Sequence, residues 1–227
     1  MEVYRKYPCK YRLVVIEGNI GAGKTSLASR ISTDYNSHLI LERFADNPFL
    51  PKFYQDPDRF AFPLEMSFLA DRYIQLKKEL IDPDIFAPFI VTDYYFMKSL
   101  IFAGNTLTGD EYKLYSQLFH IMYSSLPKPD LYVYLHQDID NLLVNIWNRG
   151  RDYESAITAD YLRKIQTGYF DFFRQEPSMR ILVVDTREID FVNHQEDYHT
   201  LLEAIFGQEH PAGLTRIFPC SGVQNAE

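Results

Sequence analysis

The feature that most limits the fold of this chain is a glycine-rich segment at residues 18–25. It reads Gly-Asn-Ile-Gly-Ala-Gly-Lys-Thr and fits the pattern G-x-x-x-x-G-K-[ST]. An apolar stretch at residues 11–17 runs directly into it, and a helical pattern at residues 24–33 follows it. A loop between a buried strand and a helix can turn its backbone N–H groups toward bound phosphates. The segment therefore predicts a phosphate-binding loop in an α/β fold.

Each part of this loop has a physical task if it binds ATP. Lys24 would place a cation near the β- and γ-phosphates, and Thr25 would ligate Mg²⁺. The residues predicted to hold the nucleotide are Gly18, Asn19, Ile20, Gly21, Ala22, Gly23, Lys24 and Thr25. The alternative is an ordinary glycine-rich turn. A regulatory GTPase is not favoured, because the chain has neither an Asp-x-x-Gly sequence nor the base-reading sequence Asn-Lys-x-Asp.

Short apolar runs alternate with helical patterns, which is typical of a parallel sheet covered by helices on both faces. The predicted strands are residues 11–17, 38–42, 86–92, 130–135 and 180–184. The predicted helices are residues 24–33, 57–81, 94–103, 110–124, 139–148, 158–174 and 196–205, with a kink or a late start at Pro63. We expect one three-layer α/β domain over residues 1–206, with a five-stranded parallel sheet. Residues 207–227, rich in Gly, Pro and polar residues, are predicted as a flexible tail.

Charge and composition exclude several classes of partner. The formal net charge of -8 disfavours a nucleic-acid or anionic-membrane surface, because both are attracted to positive proteins. The sequence lacks an apolar run of the roughly 18 to 20 residues that a membrane span needs. Cys9 and Cys220 lie near opposite ends and are expected to be free thiols of a reducing compartment. We therefore expect a cytoplasmic protein without nucleic-acid or membrane partners.

From the end of the second predicted strand onward, several motifs resemble those of the deoxynucleoside kinase family. Leu41-Glu42-Arg43 is followed by Tyr-Gln-Asp-Pro-Asp-Arg-Phe-Ala-Phe-Pro-Leu-Glu at residues 54–65 and then by Arg72. Thr92-Asp93-Tyr94 stands where that family has an Asp/Glu-Arg-Ser motif. The resemblance covers nearly the whole chain. It implies a P-loop kinase fold, a homodimer, and transfer of the γ-phosphoryl group of ATP to the 5′-hydroxyl of a deoxynucleoside.

The resemblance also implies catalytic roles. Glu42 is the expected general base that takes the proton of the 5′-hydroxyl. A structural role at the strand end is the alternative, although the carboxyl ends of parallel strands are where open α/β sheets bind their ligands. Asp93 closes a buried strand, where an unpaired carboxylate would be costly. With Thr25, it is therefore expected to bind Mg²⁺, through water in the case of Asp93.

A second group of residues is expected around the lid and the sugar. Arg149-Gly150-Arg151 resembles the arginine lid of the family, near residues 148–157, and both arginines are expected to close over the phosphates. They could instead be an exposed loop pair. Tyr54 and Glu154 are the expected sugar ligands. Glu154 has an alternative as the ion-pair partner of a lid arginine.

Phe62, Glu65 and Arg72 are expected to face the nucleobase, and here the chain departs from the family. Glu65 replaces a glutamine that reads the base, so an amide becomes an acceptor-only carboxylate when ionised. Guanine offers neighbouring N1–H and N2–H₂ donors to such a group, and its O6 and N7 could accept from Arg72. We therefore expect a purine deoxynucleoside as substrate, with deoxyguanosine first. A protonated Glu65 could mimic the amide and restore adenine binding. The alternative to a role in base recognition is that Glu65 simply forms an ion pair with Arg72.

The other departure is Tyr94, which replaces the arginine of the motif and removes a positive charge near the 5′-hydroxyl. Our hypothesis is that Arg43 compensates in part. A thymidylate-type nucleoside monophosphate kinase shares the loop and the lid, but the missing arginine makes this alternative less favoured. A non-catalytic ATP-binding switch is the alternative outside the enzymes.

Overall fold

The computed structural model describes residues 6–43, 47–81, 86–151, 154 and 156–219 of the chain. One sheet of six parallel strands runs through this part of the molecule. The strands are β1 (Leu13–Gly18), β2 (His38–Ile40), β3 (Ile90–Thr92), β4 (Leu131–His136), β5 (Arg180–Asp185) and β6 (Gly213–Ile217), in the order β2-β3-β1-β4-β5-β6. The predicted α/β fold with a parallel sheet is confirmed. Every helix within these ranges is too short or too polar to cross a lipid bilayer.

The predicted number of five strands is wrong, because β6 lies in the segment predicted as a flexible tail. β6 pairs with β5 in parallel, from Gly213 opposite Arg180 to Ile217 opposite Val184. Its residues alternate between partly buried and exposed, as on a sheet edge. It therefore lacks the continuous apolar run by which buried parallel strands are recognised. Residues 220–227 of the predicted tail lie outside the described part.

Helices cover both faces of the sheet. In the described ranges they are α1 (Lys24–Tyr35), α2 (Leu50–Gln55), α3 (Pro57–Ile81), α4 (Met97–Thr106), α5 (Gly109–Tyr123), α6 (Ile139–Arg149), α7 (Ala159–Gln175) and α8 (Gln195–Phe206). The short helix α2 was not predicted. The late start predicted at Pro63 is wrong, because α3 begins at Pro57 and continues through Pro63. The predicted helix at residues 94–103 lies three residues further along the chain, as α4.

Two apolar clusters form the core, one on each face of the sheet. β1 is fully buried and contributes to both, with Val15 in one cluster and Val14 and Ile16 in the other. Buried side chains of α3, α4 and α5 and most of those of α7 belong to the first cluster, and those of α1, α6 and α8, with Leu162 of α7, belong to the second. Successive strand residues point to opposite faces, so this arrangement explains why β1 is apolar without interruption. The carboxyl ends of the strands remain open for a binding site.

Candidate active site

The phosphate loop joins β1 to α1, and its glycines adopt backbone shapes that other residues rarely adopt. Gly21 and Gly23 have φ angles of +86° and +84°, in the left-handed region that favours glycine. A Cβ atom on Gly23 would also lie 2.7 Å from Cζ of Phe191. α1 begins at Lys24, directly after the loop. Its unpaired N-terminal N–H groups therefore add to those of the loop as donors for an anion.

Lys24 is held at this loop. Its ammonium donates to the carbonyl oxygen of Asn19 at 2.8 Å. Asn19 is itself fixed, because its side-chain Nδ2 donates to the carbonyl oxygen of Leu162 at 2.8 Å. Burial, assisted by the positive charge of Lys98, lowers the pKa of Lys24 to about 8. An anion bound in the loop would restore part of the solvation that this ammonium has lost.

Thr25 and Asp93 meet beside the loop. The hydroxyl of Thr25 donates to Oδ2 of Asp93 at 2.5 Å. Oδ1 of Asp93 accepts from the backbone N–H of Glu42 at 2.8 Å. A hydroxyl and a carboxylate are hard oxygen donors of the kind that Mg²⁺ prefers. The two side chains therefore fit the predicted metal role.

Glu42 lies in the loop two residues after β2, where two cations hold its carboxylate. Arg72 approaches Oε1, with Nε at 2.9 Å and Nη2 at 2.7 Å, and Lys98 Nζ lies 2.5 Å from Oε2. The three side chains are at most 9% exposed. Burial acts to raise the pKa of Glu42, but the charges of Lys98 and Arg72 outweigh it and bring the pKa to about 2. Glu42 is therefore a carboxylate at neutral pH.

Glu65 and Arg72 lie on the buried side of α3, but they are not each other's main partners. Arg72 pairs with Glu42, and its Nη1 donates to the hydroxyl of Ser99 at 3.0 Å. Oε1 of Glu65 accepts from the hydroxyl of Thr106 at 2.8 Å. Oε2 of Glu65 is buried without a hydrogen-bond partner among the described residues. Burial raises the pKa of Glu65 to about 7, although Arg72 and Thr106 act in the opposite direction.

These charged groups line one cavity between α3, α4 and α7. Its aromatic walls are Phe53, Tyr54, Phe68, Phe102 and Tyr161. The structure therefore brings Tyr54 to the cavity together with Glu42, Glu65 and Arg72. Phe62 is not among the lining residues and packs against the core instead. The rotation of α3 decides this, because Phe62 and Leu64 are two residues apart and lie on different sides of a helix.

The predicted lid residues also lie together. Arg149 ends α6 and contacts Oε2 of Glu154, with Nη2 at 2.5 Å. Arg151 contacts Oε1 of Glu154, with Nη1 at 3.3 Å. Glu154 is buried and lines the cavity. The alternative prediction, an ion pair between Glu154 and a lid arginine, is therefore observed for both Arg149 and Arg151. Residues 152, 153 and 155 of the predicted lid lie outside the described part.

A second and larger cavity lies beside the first. It is lined by residues 21–26 of the loop and α1, by the exposed side of α6, and by residues 186–197. The residues that line both cavities are Lys24, Thr25, Glu42, Asp93, Arg149 and Arg151. Two ligands held in these cavities would therefore meet where the loop lysine and the Glu42 carboxylate lie.

One of the two charges that hold Glu42 comes from Lys98, a residue that was not predicted from the sequence. Tyr94 is a core residue, fully buried, and its hydroxyl donates to Oε1 of Gln75 at 2.9 Å. Arg43 is exposed, whereas Lys98 contacts the carboxylate. The only sequence signal is that Lys98 follows Tyr94 by four residues. A lysine in a helix usually reaches solvent, so this spacing alone carried little information.

Comparisons with known proteins give a family match and a similar fold. The model of the family described as deoxynucleoside kinase matches residues 14–209. A deoxyguanosine kinase of Bacillus subtilis is 35% identical over 195 residues, covering 83% of this chain and 93% of that protein. A deoxyguanosine kinase of Lactobacillus johnsonii is 32% identical over 203 residues, covering 85% and 90%. The structure of a deoxyadenosine kinase from M. mycoides with bound dATP is similar in fold, with a TM-score of 0.68 at 24% identity over 78% of this chain and 92% of that one.

Proposed function

The chain belongs to the deoxynucleoside kinase family, and from this premise we propose that it phosphorylates purine deoxynucleosides at the 5′-hydroxyl, with deoxyguanosine preferred. ATP is the phosphoryl donor, and the products are the 5′-monophosphate and ADP. The observation that carries the proposal is the meeting of two cavities at Lys24 and Glu42. One cavity contains the phosphate loop and suits the triphosphate. The other contains aromatic walls and buried carboxylates and suits a nucleoside.

The proposed reaction is a direct transfer. The 5′-hydroxyl donates a hydrogen bond to Glu42, and its oxygen attacks the γ-phosphorus of ATP. The bond from γ-phosphorus to the bridging oxygen breaks, ADP leaves, and the hydroxyl proton passes to the Glu42 carboxylate. Since the pKa of Glu42 is about 2 in the free protein, the carboxylate first orients the hydroxyl and accepts the proton late. Catalysis is then mainly positioning and charge neutralisation by Lys24, Arg149 and Arg151.

Mg²⁺ is part of this proposal, with Thr25 and Asp93 as the residues that would hold it. When bound with ATP, the ion would neutralise charge on the phosphates. Oδ1 of Asp93 also accepts from the Glu42 backbone, so Asp93 links this site to the proposed base. In the lid, Glu154 would exchange an arginine contact for the sugar 3′-hydroxyl, beside Tyr54.

The preference for guanine is supported by the state of Glu65. Its Oε2 is buried without a protein donor among the described residues, whereas Oε1 is already engaged by Thr106. A guanine N1–H or N2–H₂ group could supply the missing donor, and this contact would favour the ionised form of Glu65. Adenine presents an acceptor at N1, so it would need the protonated form. Arg72 keeps further N–H groups beyond those bound to Glu42 and Ser99, and these could reach O6 or N7.

A cytoplasmic location and a homodimer complete the proposal, and both rest on the family resemblance. Analytical ultracentrifugation of the purified chain tests the dimer. A sedimentation coefficient that corresponds to one chain at micromolar concentration would contradict it.

One assay tests the proposed activity. The purified protein is given ATP, Mg²⁺ and each of the four deoxynucleosides, their ribose counterparts, or the corresponding monophosphates, and ADP formation is measured. We expect the highest kcat/KM with deoxyguanosine, and a loss on the order of 10³-fold in kcat for Glu42→Gln. Activity only with monophosphates would support the monophosphate kinase instead. ATP consumption that does not depend on any added acceptor would support the ATP-binding switch.

A further inference from the structure

Lys98 occupies a position that is costly for a lysine. It is the second residue of α4 (Met97–Thr106), and its side chain is only 9% exposed. A buried ammonium loses its hydration, and the positive end of the helix dipole opposes it further. Local rules are broken in this way mainly at functional sites. The position therefore requires an explanation beyond helix formation.

The contacts of Lys98 show what offsets this cost. Its Nζ donates to Oε2 of Glu42 at 2.5 Å and lies 5.3 Å from the centre of the Phe102 ring. Arg72 holds the opposite oxygen, Oε1. The carboxylate is therefore fixed from two sides and cannot rotate without breaking an ion pair. Phe102 keeps the ammonium at the cavity wall.

Lys98 also stands near the donor side of the site. It lines the same cavity as Lys24 and Thr25, and its charge acts on both Lys24 and Glu42. The other cation at Glu42, Arg72, uses its Nη1 to donate to the hydroxyl of Ser99 on α4. Tyr94 cannot supply a charge here, because it is a phenol engaged with Gln75 in the core.

We propose that Lys98 is a positioning residue that holds the Glu42 carboxylate for the 5′-hydroxyl, replacing in space the positive charge that residue 94 lacks. The inference rests on the proposed function, because it assigns Glu42 to that hydroxyl. The proposed role of Lys98 is to orient the general base Glu42. Loss of the Lys98 charge should therefore lower the rate of phosphoryl transfer more than it weakens nucleoside binding.

The first part of the test is a kinetic comparison of Lys98→Met and Lys98→Arg with the wild type. Lys98→Met keeps the volume of the side chain and removes the charge. We expect kcat to fall on the order of 100-fold, with KM for deoxyguanosine changed less than about threefold. Lys98→Arg restores a charge and should recover kcat to within about tenfold of the wild type. Lys77→Met, an exposed lysine of α3, is the control and should keep the wild-type values.

The second part shows whether Lys98 acts through Glu42. In a double-mutant cycle, Glu42→Gln combined with Lys98→Met should lose no more activity than Glu42→Gln alone. Lys98→Ala should regain activity with methylammonium chloride but not with tetramethylammonium chloride at equal ionic strength. Thermal unfolding of each variant identifies those that fold poorly. If Lys98→Met is one of them, methylammonium rescue of Lys98→Ala shows whether the lost activity reflects the missing ammonium group.

Outcomes of these measurements separate the inference from the proposed function. If the wild type phosphorylates no deoxynucleoside, the proposed function fails. If it does, and Glu42→Gln is impaired, the inference about Lys98 stands or falls separately. Wild-type kcat in Lys98→Met, losses that add in the double variant, or a Lys98→Ala protein that methylammonium does not rescue would overturn it.

Discussion

The phosphate loop and the cavity proposed for the nucleoside adjoin each other, but they would recognise their ligands by different means. The loop is one continuous segment, and its donors are mainly backbone N–H groups and the α1 N-terminus. The cavity collects side chains from distant segments, including Glu42, Glu65, Arg72 and Lys98. A backbone site accepts any phosphate chain of the right shape. A side-chain site can distinguish one base from another, because each buried polar atom must find its own partner.

This difference predicts that changes on the two sides have separable effects. A change in the loop should lower activity equally with every nucleoside. A change at a cavity side chain proposed to face the nucleobase, such as Glu65, should alter the ranking of nucleosides and leave KM for ATP unchanged.

The largest effect is expected for Lys24→Met, on the loop side. Removing the ammonium near the transferring phosphoryl group should lower kcat on the order of 10³-fold with every acceptor. Steady-state kinetics with deoxyguanosine and deoxyadenosine measure this, with Lys113→Met, an exposed lysine of α5, as control. A loss with one nucleoside but not the other would break the proposed separation.

The next effect concerns stability and belongs to the cavity. In the folded protein the pKa of Glu65 is raised from 4.5 to about 7. A proton bound more tightly in the folded state stabilises it below about pH 4.5, and this contribution is lost as pH rises through about 7. Relative to Glu65→Gln, which cannot titrate, the wild type should lose on the order of 3 kcal/mol of unfolding free energy between pH 4.5 and 8.

Denaturant unfolding of both proteins without nucleoside, at several pH values, measures that difference. Parallel pH curves for the wild type and Glu65→Gln would show that the pKa of Glu65 is the same in the folded and unfolded states, so that Glu65 is ionised at neutral pH. The protonated alternative for adenine binding would then be removed, and the guanine preference would become sharper.

Glu65→Gln should also change the ranking of substrates. The amide offers a donor and an acceptor, so it suits adenine or cytosine better than an ionised carboxylate does. We expect the ratio of kcat/KM for deoxyguanosine to that for deoxyadenosine to fall by roughly 30-fold, or about 2 kcal/mol. KM for ATP should stay within about twofold. An unchanged ratio would mean that Glu65 does not read the base.

The same contrast explains what could be predicted from sequence. The loop and its flanking strand and helix are contiguous, so a short pattern predicted all three together. Glu42, Tyr54, Glu65 and Arg72 were found through a family resemblance, and the structure brings them to one cavity. The contacts of these residues could not be predicted from the sequence. A partner such as Lys98 reaches Glu42 only because α4 packs against the loop after β2.

Three differences between the sequence predictions and the structure have similar physical causes. β6 was missed because an edge strand is partly exposed and does not need a continuous apolar run. Phe62 was expected at the nucleobase, whereas Phe68 lines the cavity, because the rotation of α3 is fixed by tertiary packing and not by composition. Arg43 was expected to supply charge because it directly follows Glu42 in the sequence, whereas the structure brings Lys98 to the carboxylate from a distant segment.

The smallest effect is expected for Thr106→Val, which removes one hydroxyl at nearly constant volume. The hydroxyl lies 2.8 Å from Oε1 of Glu65 and 3.2 Å from the carbonyl oxygen of Phe102, and its single proton serves the nearer carboxylate. Without this donor, Glu65 is held less firmly and its pKa rises further, since the Thr106 hydrogen bond lowers that pKa. KM for deoxyguanosine should rise about fivefold, close to the roughly 1 kcal/mol net value of a hydrogen bond, while KM for ATP stays constant. Thr200→Val is the matched control, because Thr200 also donates to the carbonyl four residues earlier in a helix but is remote from the cavity. An equal rise in KM for ATP would show that the phosphate loop and the cavity are energetically coupled and that their effects are not separable.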